Sequence, residues 1–311
     1  MSDLGYSSSI AYFRGKFIPA RNANINIASS PVLYGLSVYT VLGAHWNEES
    51  KNLNVFRLKD HYQRLINSAK IMNFDDFSKL CTYEEFQSTI IDLLKKNNVK
   101  ENVHIRATIF IDELMSGTKM QGLRNSWAAF IYPMHPVLPE AGANVCVSSW
   151  VRTSDNAIPA RAKVNGNYGN ASLMKNEAIK NGYDDAIALD SLGHVAEGTV
   201  ANIFLVRDGV LITPDHSTDI LEGITRDTVF ALANQLGIEC ERRPVDRTEL
   251  YIADEIFYSG SSAKITPILS VDRQTIGKGK VGSLTQKLIQ GLADAQLGRL
   301  PTFADWLTDV Y

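Results

Sequence analysis

Lys163 and Glu197 are the residues whose types and setting suggest chemistry. Lys163 opens the run Lys-Val-Asn-Gly-Asn-Tyr, in which Asn165, Gly166 and Asn167 are small or polar enough to let the backbone and the Tyr168 ring approach a bound molecule closely. Glu197 follows a short apolar run and directly precedes Gly198 and Thr199, so its carboxylate stands where a strand ends. A desolvated lysine beside other positive charge loses basicity, can bond to a carbonyl compound and can then pass protons. The same two residues could equally form an exposed salt bridge, the commonest fate of a lysine and a glutamate.

The surrounding pattern supplies elements to position them. A helix is expected over 172–180, with Leu173, Ala178 and Ile179 apolar and Gly182 just past its end. A strand at 186–189, a turn at Ser191-Leu-Gly and a returning strand at 194–196 deliver Glu197. Downstream, a hairpin over 201–213 turns at Asp208-Gly209, and Thr225 can cap a helix running to Leu236 and stopped by Gly237. A strand at 238–242, a short helix at 247–253, a strand from Glu255 into Gly260-Ser-Ser-Ala263 and a helix over 284–297 complete this part.

Upstream, a hairpin over 11–19 turns at Arg14-Gly15, and strands are expected at 37–42 and from Val55. A helix begins near Asp60, with Leu65, Ala69 and Met72 at helical spacing and Arg64 beside that stripe. A second amphipathic helix spans 83–97, and a strand over 103–111 puts His104 and Arg106 on one face. These two could be solvated, or could line a pocket. The polar, glycine-bearing stretch 113–125 reads as a mobile loop, and a strand follows at 128–132. The stretch 134–142, with two prolines and a glycine, reads as a linker, and no repeat or low-complexity tract is found.

A chain of 311 residues with 45% hydrophobic and 21% charged residues has the composition of a globular enzyme with one large or two medium cores. Its net charge of −3 and lack of basic runs speak against nucleic acid or an anionic membrane as partner. The three cysteines, Cys81, Cys146 and Cys240, are widely spaced and read as buried thiols in a reducing compartment rather than as metal ligands or disulfides. With no signal-peptide pattern and no stretch near the ~20 apolar residues of a membrane span, a cytoplasmic location is expected.

Following Lys163, the run Glu-Gly-Thr-Val-Ala-Asn-Ile-Phe at 197–204, then Leu211-Ile-Thr213 and Leu221-Glu-Gly-Ile-Thr-Arg226, closely resembles the signature of the fold-type IV pyridoxal-phosphate enzymes. The stretch 163–190 most resembles the branched-chain amino acid aminotransferases, and the likeness extends from about Tyr12 to about Leu292. It implies an α/β (α+β) fold with the cofactor, pyridoxal 5′-phosphate, at a domain interface. The expected divisions are an N-terminal domain at 1–133, the linker at 134–142 and a cofactor-binding domain at 143–311. In this likeness Lys163 bonds the cofactor and then moves the substrate proton. Glu197 pairs with the pyridine nitrogen, and Tyr168 with the ring hydroxyl, although a plain core tyrosine would also fit there. Arg64, Leu221, Ile224, Thr225, Ser261 and Ser262 surround the cofactor, the phosphate lying on a helix N-terminus and an arginine fork. A surface arginine is the plainer account of Arg64. The substrate pocket takes Tyr34, Tyr39, His104, Arg106, Ser262 and Ala263, with Arg106, backed by His104 and Tyr34, holding a carboxylate.

The pocket departs from the branched-chain pattern. Tyr39-Thr40-Val41 replaces Phe-Glu-Gly, and His104 replaces a tyrosine two residues before the arginine. Tyr39-Thr40-Val41 looks more like (R)-selective amine transaminases, whereas D-amino acid transaminases carry arginine and histidine in the reverse order. The expected reaction is transfer of an amino group between leucine, isoleucine or valine and 2-oxoglutarate by a homodimer or higher homo-oligomer. An (R)-amine or D-amino acid transaminase is the alternative, with an aminodeoxychorismate-lyase-like elimination or a catalytically silent binding protein as more distant ones. No metal is expected.

Overall fold

The computed structural model describes residues 9–75 and 77–311. The chain divides into two compact units, Met1–His135 with Ala162–Gly166 and Ala295–Tyr311, and Pro136–Arg161 with Asn167–Asp294.

The first unit is built on an antiparallel sheet of β1 (Ile10–Phe13), β2 (Lys16–Pro19), β3 (Ser37–Asn47), β4 (Asn52–Phe56), β5 (Val103–Ile111), β6 (Asn125–Pro133) and β16 (Leu307–Asp309), in the order β16-β4-β3-β5-β6-β1-β2. The β1–β2 hairpin turns at Arg14-Gly15 as its sequence dictates, both residues having positive φ. Ser30–Tyr34 forms the short helix α1, and α2 (Leu58–Ile71) and α3 (Tyr83–Lys96) are amphipathic. Leu65 and Ala69 of α2 and Phe86, Ile90, Leu93 and Leu94 of α3 are buried, and Phe86 packs its ring against Tyr62 and Trp127, each at 5.3 Å. Thr82 and Glu85 close a capping box at the start of α3. The register of β3 against β5 pairs Val41 with Arg106 and Gly43 with His104. Tyr39, Val41, His104 and Arg106 therefore share one face of the sheet, while Thr40 points to the other, toward α2. The stretch 113–125 is tied down more than its composition suggests: Leu114 bridges Ser29, and the Met115 N–H donates to the Ala28 carbonyl at 3.1 Å.

The second unit holds a mixed sheet of β7 (Ala143–Val147), β8 (Asp185–Leu189), β9 (Val195–Gly198), β10 (Asn202–Arg207), β11 (Val210–Thr213), β12 (Cys240–Arg242), β13 (Glu255–Gly260) and β14 (Lys264–Val271), in the order β12-β11-β10-β13-β14-β7-β8-β9, with β15 (Gln274–Thr275) on β14. Val145, Ile187, Val195, Ile203, Leu205 and Tyr258 form the centre of its core. The Tyr258 hydroxyl, fully buried, donates to the Ala186 carbonyl at 3.0 Å, and burial holds its pKa well above the usual phenol value. The helices are α4 (Tyr168–Lys180), α5 (Ile224–Gln235) and α6 (Ser283–Gln296). Glu255 accepts from the N–H groups of Leu284 and Thr285 and so caps α6. All three cysteines are free thiols, and burial pushes Cys81 up to about 12 and Cys146 up to about 11.

The first unit also takes in Ala162–Gly166 and Ala295–Tyr311, which the sequence expectation places in the domain at 143–311. Among the element boundaries that differ from expectation, two lie at the site. Helix α4 begins at Tyr168, four residues before 172, because a 3-10 turn over Asn165–Asn167 leads the chain directly into it. Helix α5 is capped by Gly223 rather than Thr225, which is its second residue. A Cβ at Gly223 would lie 2.0 Å from the Asn202 side-chain oxygen, so a larger residue there would displace Asn202.

Candidate active site

Lys163 is anchored through its backbone. Its N–H donates to Ser68 Oγ at 3.1 Å, and its carbonyl accepts from the Tyr39 N–H at 3.0 Å, extending β3 by a short bridge at Val38 and Val164. This close run requires bare backbone, since a Cβ on Gly35 would meet Gly166 Cα at 2.7 Å. The Lys163 amine lies 5.1 Å from the centre of the Tyr39 ring, and the Arg106 guanidinium stacks over the same ring at 3.7 Å. Arg106 also donates to the Asn165 side-chain oxygen, and Asn165 in turn donates to Ser37 Oγ at 2.7 Å. Thus Tyr39, Arg106 and Lys163 are brought together within the first unit. His104, 1% exposed, lies against the Tyr132 ring at 5.2 Å, and Tyr34 ends α1 with 47% exposure.

Arg64 lies on α2 and donates to Thr40 Oγ1 at 3.3 Å; that oxygen is 2.7 Å from His61 Nδ1. Burial, then the charges of Arg64, Arg57 and Lys163, hold the His61 pKa well below the imidazole range. Arg64 and Lys163 thus bring basic side chains to the neighbourhood of His61, whereas Arg57 is paired with Asp60 at 2.7 Å.

In the second unit the organising group is Glu197, buried on β9. Its Oε1 accepts from Arg152 at 2.8 Å, and its Oε2 accepts from Asn202 Nδ2 at 2.9 Å and from the Leu221 N–H at 3.2 Å. The Arg152 side chain is only 10% exposed, so this is a desolvated pair made tolerable by its additional donors. Asn202 Nδ2 also donates to the Leu221 carbonyl at 2.9 Å, binding the loop before α5 to the strand that follows Glu197. Next to it lies the α5 N-terminus at Ile224 and Thr225, whose first-turn N–H groups and helix dipole favour an anion. Gly260, at the head of the turn bearing Ser261, Ser262 and Ala263, packs against Val200 and Ala201, the residues directly before Asn202. Leu221, Ile224, Thr225 and Ser261 to Ala263 are therefore arrayed around one stretch of backbone. Tyr168, the first residue of α4, packs against the small cluster of Cys146, Ala171, Met174 and Ala178.

Residues 38–271 match the family model for amino-transferase class IV. A probable branched-chain-amino-acid aminotransferase of Aquifex aeolicus is 38% identical over 98% of this chain and 98% of its own length. The chain belongs to the class IV aminotransferases. Among solved structures, the branched-chain aminotransferase of Thermoproteus uzoniensis with norvaline superposes with a TM-score of 0.92 at 37% identity, covering 98% of this chain and 100% of that one. The holo, PLP-form branched-chain amino acid aminotransferase of Thermobaculum terrenum does so with a TM-score of 0.92 at 34% identity, covering 99% of this chain and 100% of that one.

In this aminotransferase the partners of Glu197 and Lys163 carry little signal of their own. Arg152 sits in a stretch without periodicity, 45 positions before the carboxylate it meets. It arrives there because 148–152 continues along β8, with the Ser148 N–H on Ile187 and the Arg152 N–H on Leu189, opposite the strand that carries Glu197. Asn202 lies inside the motif that marks the site, yet only the folded chain shows it joining Glu197 to the Leu221 carbonyl. Ser68 and Asn165 likewise act through contacts that no spacing rule predicts.

Proposed function

We propose that this aminotransferase uses pyridoxal 5′-phosphate to move an amino group between a branched-chain L-amino acid and 2-oxoglutarate. The observation carrying that reading is the 38% identity to a probable branched-chain-amino-acid aminotransferase across 98% of the chain. The donor chemistry fits the cofactor: an α5 N-terminus capped by a glycine suits a phosphate, as does the Arg64 guanidinium, and a buried carboxylate suits a pyridinium. When bound, the cofactor supplies a ring that accepts electrons from the substrate Cα.

The chain's own groups then divide the work. Lys163 would hold the cofactor through its amine and then move the proton at the substrate Cα. Glu197, paired with Arg152 and oriented by Asn202 and the Leu221 N–H, would take the pyridine nitrogen. Tyr168 would take the ring hydroxyl. The N–H groups of Ile224 and Thr225, the Ser261 and Ser262 hydroxyls and Arg64 would take the phosphate, with Leu221 a further cofactor contact. Arg106, fixed by Asn165 and Tyr39, receives a substrate carboxylate, and the remaining substrate contacts are assigned to Tyr34, Tyr39, His104, Ser262 and Ala263, with Val41 adding bulk beside Tyr39 on the same sheet face.

The cell location we propose is cytoplasmic; no helix among the described residues is long and apolar enough to cross a membrane. We also propose a homodimer or higher homo-oligomer, supported by the exposure of Ile27 (81%), Val32 (56%) and Met115 (77%) on the first unit.

A donor panel of L-leucine, D-alanine and (R)-1-phenylethylamine, each with 2-oxoglutarate, tests the substrate assignment. Activity confined to L-leucine supports it. The run Tyr39-Thr40-Val41 favours the second reading, and activity with D-alanine or the amine but not L-leucine would establish that one. On the same panel, Arg106→Ala lowers kcat/KM for carboxylate-bearing substrates by about tenfold to a hundredfold, the worth of one charge-assisted hydrogen bond. Single-turnover assays with L-leucine and with L-glutamate report the two substrates separately. Unchanged rates for both would make Arg106 a structural residue.

A further inference from the structure

Thr40 is fully buried on the face of β3 that meets α2, with His61 and Arg64 as its side-chain partners. A guanidinium only donates, so at 3.3 Å the Thr40 oxygen is the acceptor. The same oxygen lies within hydrogen-bond distance of His61 Nδ1, 2.7 Å away, so one hydroxyl joins the two side chains. Burial and positive surroundings hold the His61 pKa well below the imidazole range and keep the ring neutral. One turn along α2, the fully buried Ser68 hydroxyl donates to the Arg64 carbonyl at 2.8 Å and accepts the Lys163 N–H at 3.1 Å. The side chain and the backbone of Arg64 are thus each held by a hydroxyl group, and one of those groups also holds Lys163.

We propose that Thr40 is a positioning residue for Arg64: with His61 behind it, the hydroxyl fixes the guanidinium in one orientation, in register with Lys163, so that a phosphate-bearing aldehyde or amine is gripped at one end while its other end meets the lysine. A hydroxyl suits this task because it orients the guanidinium without adding negative charge that would compete with the phosphate. The inference rests on the reading of Arg64 as a phosphate ligand and goes beyond it by assigning Thr40 and His61 their part.

The test is equilibrium binding of pyridoxamine 5′-phosphate to the full-length chain, which needs no turnover. Thr40→Val, nearly equal in volume, removes the hydroxyl and is expected to raise Kd about tenfold. Thr40→Ser restores binding. The double variant Thr40→Val/Arg64→Ala binds no worse than Arg64→Ala alone, because Thr40 acts only through the arginine. Unchanged Kd in Thr40→Val beside a weakened Arg64→Ala, or additive losses in the double variant, would overturn the role of Thr40 and leave the phosphate reading intact. Unchanged binding in Arg64→Ala would overturn the phosphate reading itself.

Discussion

Lys163→Ala is expected to fold, to bind pyridoxamine 5′-phosphate and yet to convert L-leucine at least about a thousandfold more slowly, the scale of a lost positioned acid–base group. The fold is spared because the backbone, not the side chain, makes the anchoring bonds: the Lys163 N–H to Ser68 and its carbonyl to the Tyr39 N–H both survive in alanine. The proposed phosphate ligands, Arg64 and the first-turn N–H groups of α5, are untouched by the change, so ligand affinity without a covalent link is expected to be retained. The loss therefore falls on kcat. Binding measured by dialysis and single-turnover absorbance measured on the same preparation separate the two effects. Near-normal turnover would remove Lys163 from the chemistry.

The second large effect belongs to Glu197→Gln. A carboxylate at this position receives Arg152 on one oxygen and Asn202 and the Leu221 N–H on the other. Glutamine can keep only one of those faces, because its NH2 must point at either Arg152 or the Asn202 and Leu221 donors. It also leaves the mostly buried Arg152 without its counter-charge. The variant is therefore expected to melt at a lower temperature and, per cofactor-loaded molecule, to turn over about a hundredfold to a thousandfold more slowly, as when a preorganised electrostatic partner is removed. Turnover normalised to bound cofactor separates the catalytic loss from the structural one. A normal normalised rate would place the ring's counter-charge elsewhere.

How much of the molecule is legible in its sequence depends on the range of the interaction. Lys163, Glu197, Thr225 and Arg64 stand out because local context, a loop, a strand end, a helix start and an apolar stripe, marks each of them. The β1–β2 and β10–β11 hairpins are readable from Arg14-Gly15 and Asp208-Gly209 because positive φ at a turn is a local demand. The cap of α5 falls to Gly223 although threonine is a good N-cap by propensity, and the packing of Asn202 against Gly223 is a tertiary contact that the local sequence does not show. The start of α4 lies earlier than its sequence suggests because Gly166 and Asn167 read as loop formers, whereas the 3-10 turn they make runs straight into the helix. Arg152, Ser68 and Asn165 are silent because sheet register and helix phase, not sequence proximity, bring them to their partners. The family is written in the motifs, but what holds the motif residues in place is not.

Lys163 is proposed to carry the cofactor. Borohydride reduction of the purified, cofactor-loaded chain, followed by proteolysis and mass spectrometry, tests it most directly. The phosphopyridoxyl mass is predicted on the peptide containing Lys163 and on no other lysine. Label on a different lysine, or a loaded chain that takes up none, would contradict the assignment and with it the proposed roles of Glu197 and Arg64.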